Sequence, residues 1–306
     1  MKYFNRYTQE LEKEKIPSEN NLKFFYTTLL GRFFLHMFVK RSFVSKIFGY
    51  FTNLSLSKKK IIPFAKKYNI DLNLFEKKPN EYLCFNDFFY RKFKPGLRPI
   101  TSNENEICFP ADGRHFGFQN IDAIQSFEIK GHKFNLKKLL NDKKLAEQFH
   151  GGTCIISRLA PTDYHRFHFP CDGIPQAAHC INGTLFSVNP IALMKSFRIL
   201  GENKRWLTHF YSEKFGHMVI LEIGATCVGS VTQTYIAGNP VKKGDEKGYF
   251  SFGGSTVVTL FEYDKVTLSE DLKFFTQRGT ELYAHMGDCM GKATIPFGKR
   301  YLQENI

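Results

Sequence analysis

The chain has 306 residues, 42% of them hydrophobic, and no low-complexity repeat, which suits a globular protein of one large or two smaller domains. Lys and Arg number 43 against 29 Asp and Glu, a formal charge of +14, so the partner surface that suits it is anionic. No zinc-finger, RRM-like or basic helix-turn-helix pattern occurs, so only charge speaks for nucleic acid and no nucleic-acid partner is expected.

The seven cysteines are odd in number, widely spaced and include no CxxC. That pattern predicts reduced thiols in a cytosolic compartment rather than a disulfide framework or a zinc site. The N-terminus MKYFNRYTQELEKEK is charged throughout, so no signal peptide is expected.

Residues 1 to about 22 are polar and predict an irregular or partly helical arm. From Leu29 to Phe51, Leu30, Phe33, Phe34 and Met37, then Val44, Ile47, Phe48 and Phe51, recur at three- and four-residue spacing, which predicts an amphipathic helix or helix pair. Arg32, His36, Lys40, Arg41 and Lys46 interrupt the stripe and argue against a transmembrane span. Such a stripe suits a helix lying in the interface of an anionic bilayer, and equally one packed on the protein's own core.

Ser57-Lys58-Lys59-Lys60 reads as a solvated turn that would add to lipid attraction. A second helical region is expected over roughly 60–93, with the aromatics of Phe85-Asn86-Asp87-Phe88-Phe89 as a packing face. KPGLRP, Lys94 to Pro99, ends it and divides a helical region, 1–95, from a β-rich domain, 96–306.

Short runs bounded by glycine, proline and Asn-Gly follow. Strands are predicted at Cys154–Ile156, Ile181–Phe186, Met218–Ile223, Cys227–Val231 and Val257–Phe261, with one helix over Leu136–Phe149 and a short one after Pro190. The fold class is therefore α+β, an amphipathic helical region followed by a mainly antiparallel β domain.

Three stretches could carry chemistry. Phe109-Pro110-Ala111-Asp112-Gly113 puts Asp112 on a tight turn, although an Asp-Gly turn alone asks for no function. Between Arg158 and Gly173 lie His165 and His168, with Asp163, Tyr164 and Arg166. A zinc reading lacks a third and fourth ligand at short spacing, so no metal is expected. Strand positions three apart face opposite ways, so both histidines enter one site only across a bulge or turn; as plain surface residues they would need neither.

In KGYFSFGGSTVVTLF, 247–261, two glycines precede Ser255 at the entrance of an apolar strand. Gly254, lacking Cβ, can enter the tight geometry in which Ser255 Oγ attacks the preceding carbonyl, which makes bond 254–255 a candidate for self-cleavage. A glycine bulge leading into a strand accounts for GGST as well.

FPADG (109–113), LAPTDYHRFHFPCDG (159–173) and KGYFSFGGST (247–256) resemble, in the same order, three blocks of the phosphatidylserine decarboxylases. FNDFFYRKFKPGLRPI (85–100) and ENKR (202–205) also match, and the resemblance covers roughly 80–295. One departure is Gly253, where the commonest third block has leucine; the GGST form resembles a branch of the family.

The resemblance implies a self-processing triad in which Asp112 orients His168, His168 takes the proton of Ser255, and Ser255 attacks the Gly254 carbonyl. It implies an ester, then dehydroalanine, then a covalent pyruvoyl cofactor at residue 255, on an α chain (255–306) beside a β chain (1–254). That group would form a Schiff base with phosphatidylserine, with His165 serving the decarboxylation step, and release CO₂ and phosphatidylethanolamine. Implied partners are phosphatidylserine, an anionic membrane surface and the sister chain of the same precursor, with homodimerisation left open. The implied location is peripheral, on the cytoplasmic face of the cell membrane.

Two other readings compete. A Ser-His-Asp lipid hydrolase would use the same residues without cutting itself, but the chain lacks G-x-S-x-G at Ser255. A peripheral membrane adaptor accounts for the charge but gives no reason for DYHRFH and GGST together.

Overall fold

A computed structural model describes residues 2–16, 19–34, 42–122, 135–193, 198–225, 230–251, 253 and 255–294. Its strands, in chain order, are β1 (Lys2–Asn5), β2 (Glu10–Lys13), β3 (Glu106–Cys108), β4 (Gly113–Phe118), β5 (Thr153–Leu159), β6 (Arg166–His168), β7 (Ile174–Pro175) and β8 (His179–Ile181). They continue as β9 (Arg205–Ser212), β10 (Gly216–Ile223), β11 (Val231–Gln233), β12 (Glu246–Phe250), β13 (Ser255–Phe261), β14 (Val266–Leu268), β15 (Glu281–Ala284) and β16 (Cys289–Ala293).

A ten-stranded sheet runs β2-β1-β15-β4-β5-β13-β10-β9-β7, with β8 also on β9. Its pairs are antiparallel except β1 with β15. Two three-stranded sheets, β11-β12-β6 and β14-β16-β3, complete an α+β fold of mostly antiparallel pairing.

The middle strands are apolar on both faces. Val257 and Phe261 of β13 join Ile155, Leu159, Met218 and Ile220 in one core, while Val258 and Leu260 join Cys154, Ile156, Val219 and Leu221 in the other. Strands covered on both sides read as unbroken hydrophobic runs, which is why β5, β10 and β13 lie where expected.

The N-terminal arm differs from the expectation of an irregular or partly helical segment. It forms the β1–β2 hairpin and docks on β15 in register Phe4↔Leu282. Phe4 stacks on Phe275, ring centroids 3.9 Å apart. Two four-residue strands of mixed polarity carry no periodicity of their own; their state is set by the edge they pair with.

The helix expected over Leu136–Phe149 is two, Leu136–Leu140 and Lys143–Gln148. Asn141 turns left-handed at φ 53°, and the Asp142 side chain accepts from Leu145 N to start the second. The expected strand Ile181–Phe186 ends at Ile181. Beyond it the chain presses on the 202–204 backbone so closely that a Cβ on Gly183 would lie 2.3 Å from Glu202 O. Of the strand expected at Cys227–Val231, residues 226–229 lie outside the described residues and β11 begins at Val231. The short helix after Pro190 is present as Pro190–Leu193.

The region 19–93 carries helices Glu19–Thr27, Leu29–Phe34, Ser42–Asn53, Ile61–Tyr68 and Phe85–Phe89. Tyr82, Phe85, Phe88 and Ile61 close a small core there, so the Phe85–Phe89 aromatics do form a packing face. Leu30, Phe33, Ile47 and Phe51 of the apolar stripe are exposed rather than packed on the protein's own core; His36, Met37, Lys40 and Arg41 lie outside the described residues. Among the described residues no helix is long and apolar enough to cross a membrane.

Candidate active site

Three neighbouring strands of the large sheet bring the sequence blocks to one end of it. β4 starts directly after Asp112, β5 ends at Leu159, and β13 starts at Ser255, with Ser255 opposite Leu159. Antiparallel neighbours place one strand's start beside the other's end, so blocks far apart in sequence converge.

Ser255 is fully buried, and its Oγ has no hydrogen-bond partner. Gly254 lies outside the described residues, but Gly253 has φ 134°, a conformation that L side chains rarely adopt. That backbone requirement accounts for glycine at a position where leucine is commoner.

His165 stands just ahead of β6, fully buried, its ring centroid 3.9 Å from that of Phe89. Nδ1 lies 3.0 Å from the Asp163 carbonyl, which can only accept, so Nδ1 carries the proton and Nε2 is the basic atom. Nε2 has no hydrogen-bond partner, although the Gly253 backbone lies near enough to favour a protonated ring. Burial first, and then the Arg91 charge, push the imidazole down to about 3, so it is neutral at physiological pH.

His168 closes β6, its backbone N–H donating to Pro110 O at 2.7 Å. Nδ1 donates to Gly244 O at 2.9 Å, and Nε2 accepts from the Tyr164 hydroxyl at 3.3 Å. Burial lowers this imidazole too.

Asp112 is buried and held by Arg98, whose Nε and Nη2 donate at 3.0 and 2.6 Å, and by Met286 N at 2.9 Å. Its charge acts on His168 through space, yet no hydrogen bond joins Asp112 to His168. Nor does one join either imidazole to Ser255 Oγ.

Asp112, His165, His168 and Ser255 are thus all buried, with two neutral imidazoles presenting a basic Nε2. Sequence reasoning missed Arg98, which stands inside KPGLRP and was read there only as punctuation. It also missed Arg91, for which an arginine set among aromatics in FFYRKF was the available signal, and it named Tyr164 only as a neighbour of the two histidines.

A family model described as phosphatidylserine decarboxylase matches residues 85–288, two-thirds of the chain and all four of these residues. The chain belongs to the phosphatidylserine decarboxylase family. The phosphatidylserine decarboxylase proenzymes of Clostridium novyi (strain NT) and Clostridium kluyveri are each 44% identical to it over 291 residues, covering 95% of this chain and 99% and 98% of theirs. That of Fusobacterium nucleatum subsp. nucleatum is likewise 44% identical, over 95% of this chain and 97% of its own.

The chain is accordingly an enzyme, a carboxy-lyase. Among the described residues no group of three His, Cys, Asp or Glu side chains is placed to hold a metal ion.

Proposed function

We propose that the chain converts phosphatidylserine to phosphatidylethanolamine and CO₂ at a membrane surface, using a pyruvoyl group made from Ser255 after it cuts its own 254–255 bond. The observation that carries the reading is the orphaned Ser255 hydroxyl, buried at the start of a central strand and directly behind a glycine pair. A buried hydroxyl with no partner costs stability, so a role in chemistry is a reason to keep it there.

Self-cleavage proceeds as Oγ attacks the Gly254 carbonyl carbon, its proton passing through a neutral imidazole to the departing nitrogen of residue 255 as the C–N bond breaks. The resulting ester leaves by elimination, residue 255 becomes dehydroalanine, and hydrolysis releases ammonia and leaves the ketone. His168 is the assigned base, with Asp112 acting on its charge. The free Nε2 beside Gly253 favours a second assignment, His165 as base.

In the mature enzyme the pyruvoyl carbonyl supplies the electron sink for departing CO₂. His165 is assigned the proton movement at the substrate α-carbon through Nε2, a role typically worth ~10²–10⁴-fold. The exposed Leu30, Phe33, Ile47 and Phe51, with Lys59 and Lys60, support attachment to an anionic bilayer on its cytoplasmic face.

Purified protein on a denaturing gel should run as two fragments divided at 254/255, with a pyruvoyl mass at the start of the smaller one. Ser255→Ala should leave a single full-length band. His168→Ala and His165→Ala, scored separately for cutting and for turnover, decide between the two bases. An active chain that is uncut and keeps serine at 255 would overturn the reading.

A further inference from the structure

Arg91 is a buried cation, 3% exposed, for which the described residues supply no carboxylate within ion-pair distance. Its guanidinium lies against the rings of Phe75 and Phe88, 4.6 and 4.8 Å from their centroids. Nη2 donates to Thr162 O at 2.8 Å and to Asp163 O at 3.1 Å, while Nη1 makes longer contacts with Phe88 O and Phe89 O. Nε has no partner. Burying a cation against neutral carbonyls costs stability that a lysine or leucine at a surface would not, so the position needs a reason.

The Asp163 carbonyl is the same oxygen that accepts from His165 Nδ1 at 3.0 Å. One acceptor is therefore shared by Arg91 and His165, and Phe89, two residues before Arg91, covers the face of the imidazole.

We propose that Arg91 is a positioning residue for His165: by clamping the Thr162 and Asp163 carbonyls it holds the imidazole in the Nδ1–H tautomer, with Nε2 free as the basic atom. The proposal rests on the role assigned to His165 above.

The surroundings make Arg91 the group that can do this. From the strand side, Arg114 of β4 is taken up by the Asp163 carboxylate, which also accepts from Ala160 N at 2.7 Å. Both contacts fall on Oδ2, and it is the Asp163 carbonyl, not this carboxylate, that accepts from the ring. From the glycine segment, His165 meets the Gly253 backbone, and Phe250 N donates to the His165 carbonyl at 3.0 Å. Among the described residues, the side-chain charge that acts on the His165 titration is that of Arg91, and it opposes a second positive charge on the ring.

The test uses full-length Ser255→Ala protein, labelled with ¹⁵N-histidine, with the His165 resonances assigned by their loss in His165→Gln. The parent should show a neutral Nδ1–H ring. Arg91→Met should introduce the Nε2–H tautomer and raise the protonation midpoint by about one pH unit, as expected when a nearby cation is removed. Arg91→Lys keeps the charge but cannot reach both carbonyls, so the tautomers should mix while the midpoint stays put.

In otherwise unchanged protein, Arg91→Lys should lower kcat ~10-fold with KM nearly unaltered. Unchanged His165 tautomer in both variants would overturn the proposal, and should Arg91→Met not fold, Arg91→Lys decides alone. Because the nuclear resonance readout needs no cleavage, failure of the self-processing reading would appear on the gel and not here.

Discussion

Glu14 and Arg158 lie 144 positions apart in the chain and meet as a buried ion pair, Nη2 to Oε2 at 2.7 Å, each side chain 2% exposed. The same guanidinium donates to Glu281 through Nε and Nη2 at 2.8 and 2.7 Å. One arginine of β5 thus ties the residue that follows the N-terminal hairpin to β15, which lies beyond the proposed cut. Arg6 adds a bidentate pair with Asp271 at 2.7 and 2.9 Å. These contacts would hold the C-terminal fragment in place once the backbone is broken.

Glu14→Ala should therefore destabilise the protein by ~1.5–3 kcal/mol, since Arg158 loses its charged hydrogen bonds to Glu14 but keeps those to Glu281. Thermal unfolding and retention of the smaller fragment on a sizing column measure it. A loss under ~1 kcal/mol would show that the pair contributes little.

The same residue predicts a pH dependence. Burial alone would raise the Glu14 carboxyl, but the Arg158 charge and hydrogen bonds outweigh it and hold the group at about 2. A depressed folded value means the contribution is complete above the unfolded value, near 4.5, and drains away as pH falls toward 2. Urea unfolding of the parent and Glu14→Gln should differ most at pH 7 and converge below pH 4.5. A gap that widened on acidification would contradict the sign.

Lys247 and Glu222 form a second pair, Nζ to Oε1 at 2.7 Å, with both side chains fully buried. Nζ also donates to Thr208 Oγ1 and Gln233 Oε1, both at 2.9 Å. Burial pushes Glu222 up and Lys247 down. Lys247→Met strands the carboxylate and should cost ~3–5 kcal/mol, whereas Lys247→Met with Glu222→Gln should cost less than the two singles together. Additivity within ~0.5 kcal/mol in the double-mutant cycle would argue that the pair is not coupled.

Gly253 supplies a kinetic prediction. Its φ of 134° is strained for any side chain, so Gly253→Ala should shift the segment ahead of Ser255 and slow self-cleavage ~10-fold or more. A time course of precursor and fragments on a gel measures this; cleavage at the parent rate would mean that the backbone there is not limiting.

At the helical end, Leu56 and Ile62 are exposed beside Lys59, Lys60 and Lys66. Replacing the three lysines by alanine should weaken sedimentation with anionic vesicles ~100-fold, taking about 1 kcal/mol for each well-placed cation. Raised salt should weaken the parent in the same direction. Binding indifferent to both would leave the charge without this purpose.

The sequence by itself determined what local pattern can carry: β5, β10 and β13 as apolar runs, Ser255 at a strand entrance behind glycine, and Asp112 on its turn. It also determined, through three blocks in order, the family and the four candidate residues. Tertiary structure decided the rest. The N-terminal hairpin became sheet because β15 offered it an edge, the helix after Asn135 broke where Asn141 could turn left-handed, and Asp112 was taken by Arg98 rather than by His168. Which nitrogen of His165 carries the proton was settled by the Asp163 backbone carbonyl, which can only accept. Periodicity and turn chemistry act over a few residues and survive in the one-dimensional string; the choice of partner for a buried charge depends on what folding brings alongside it.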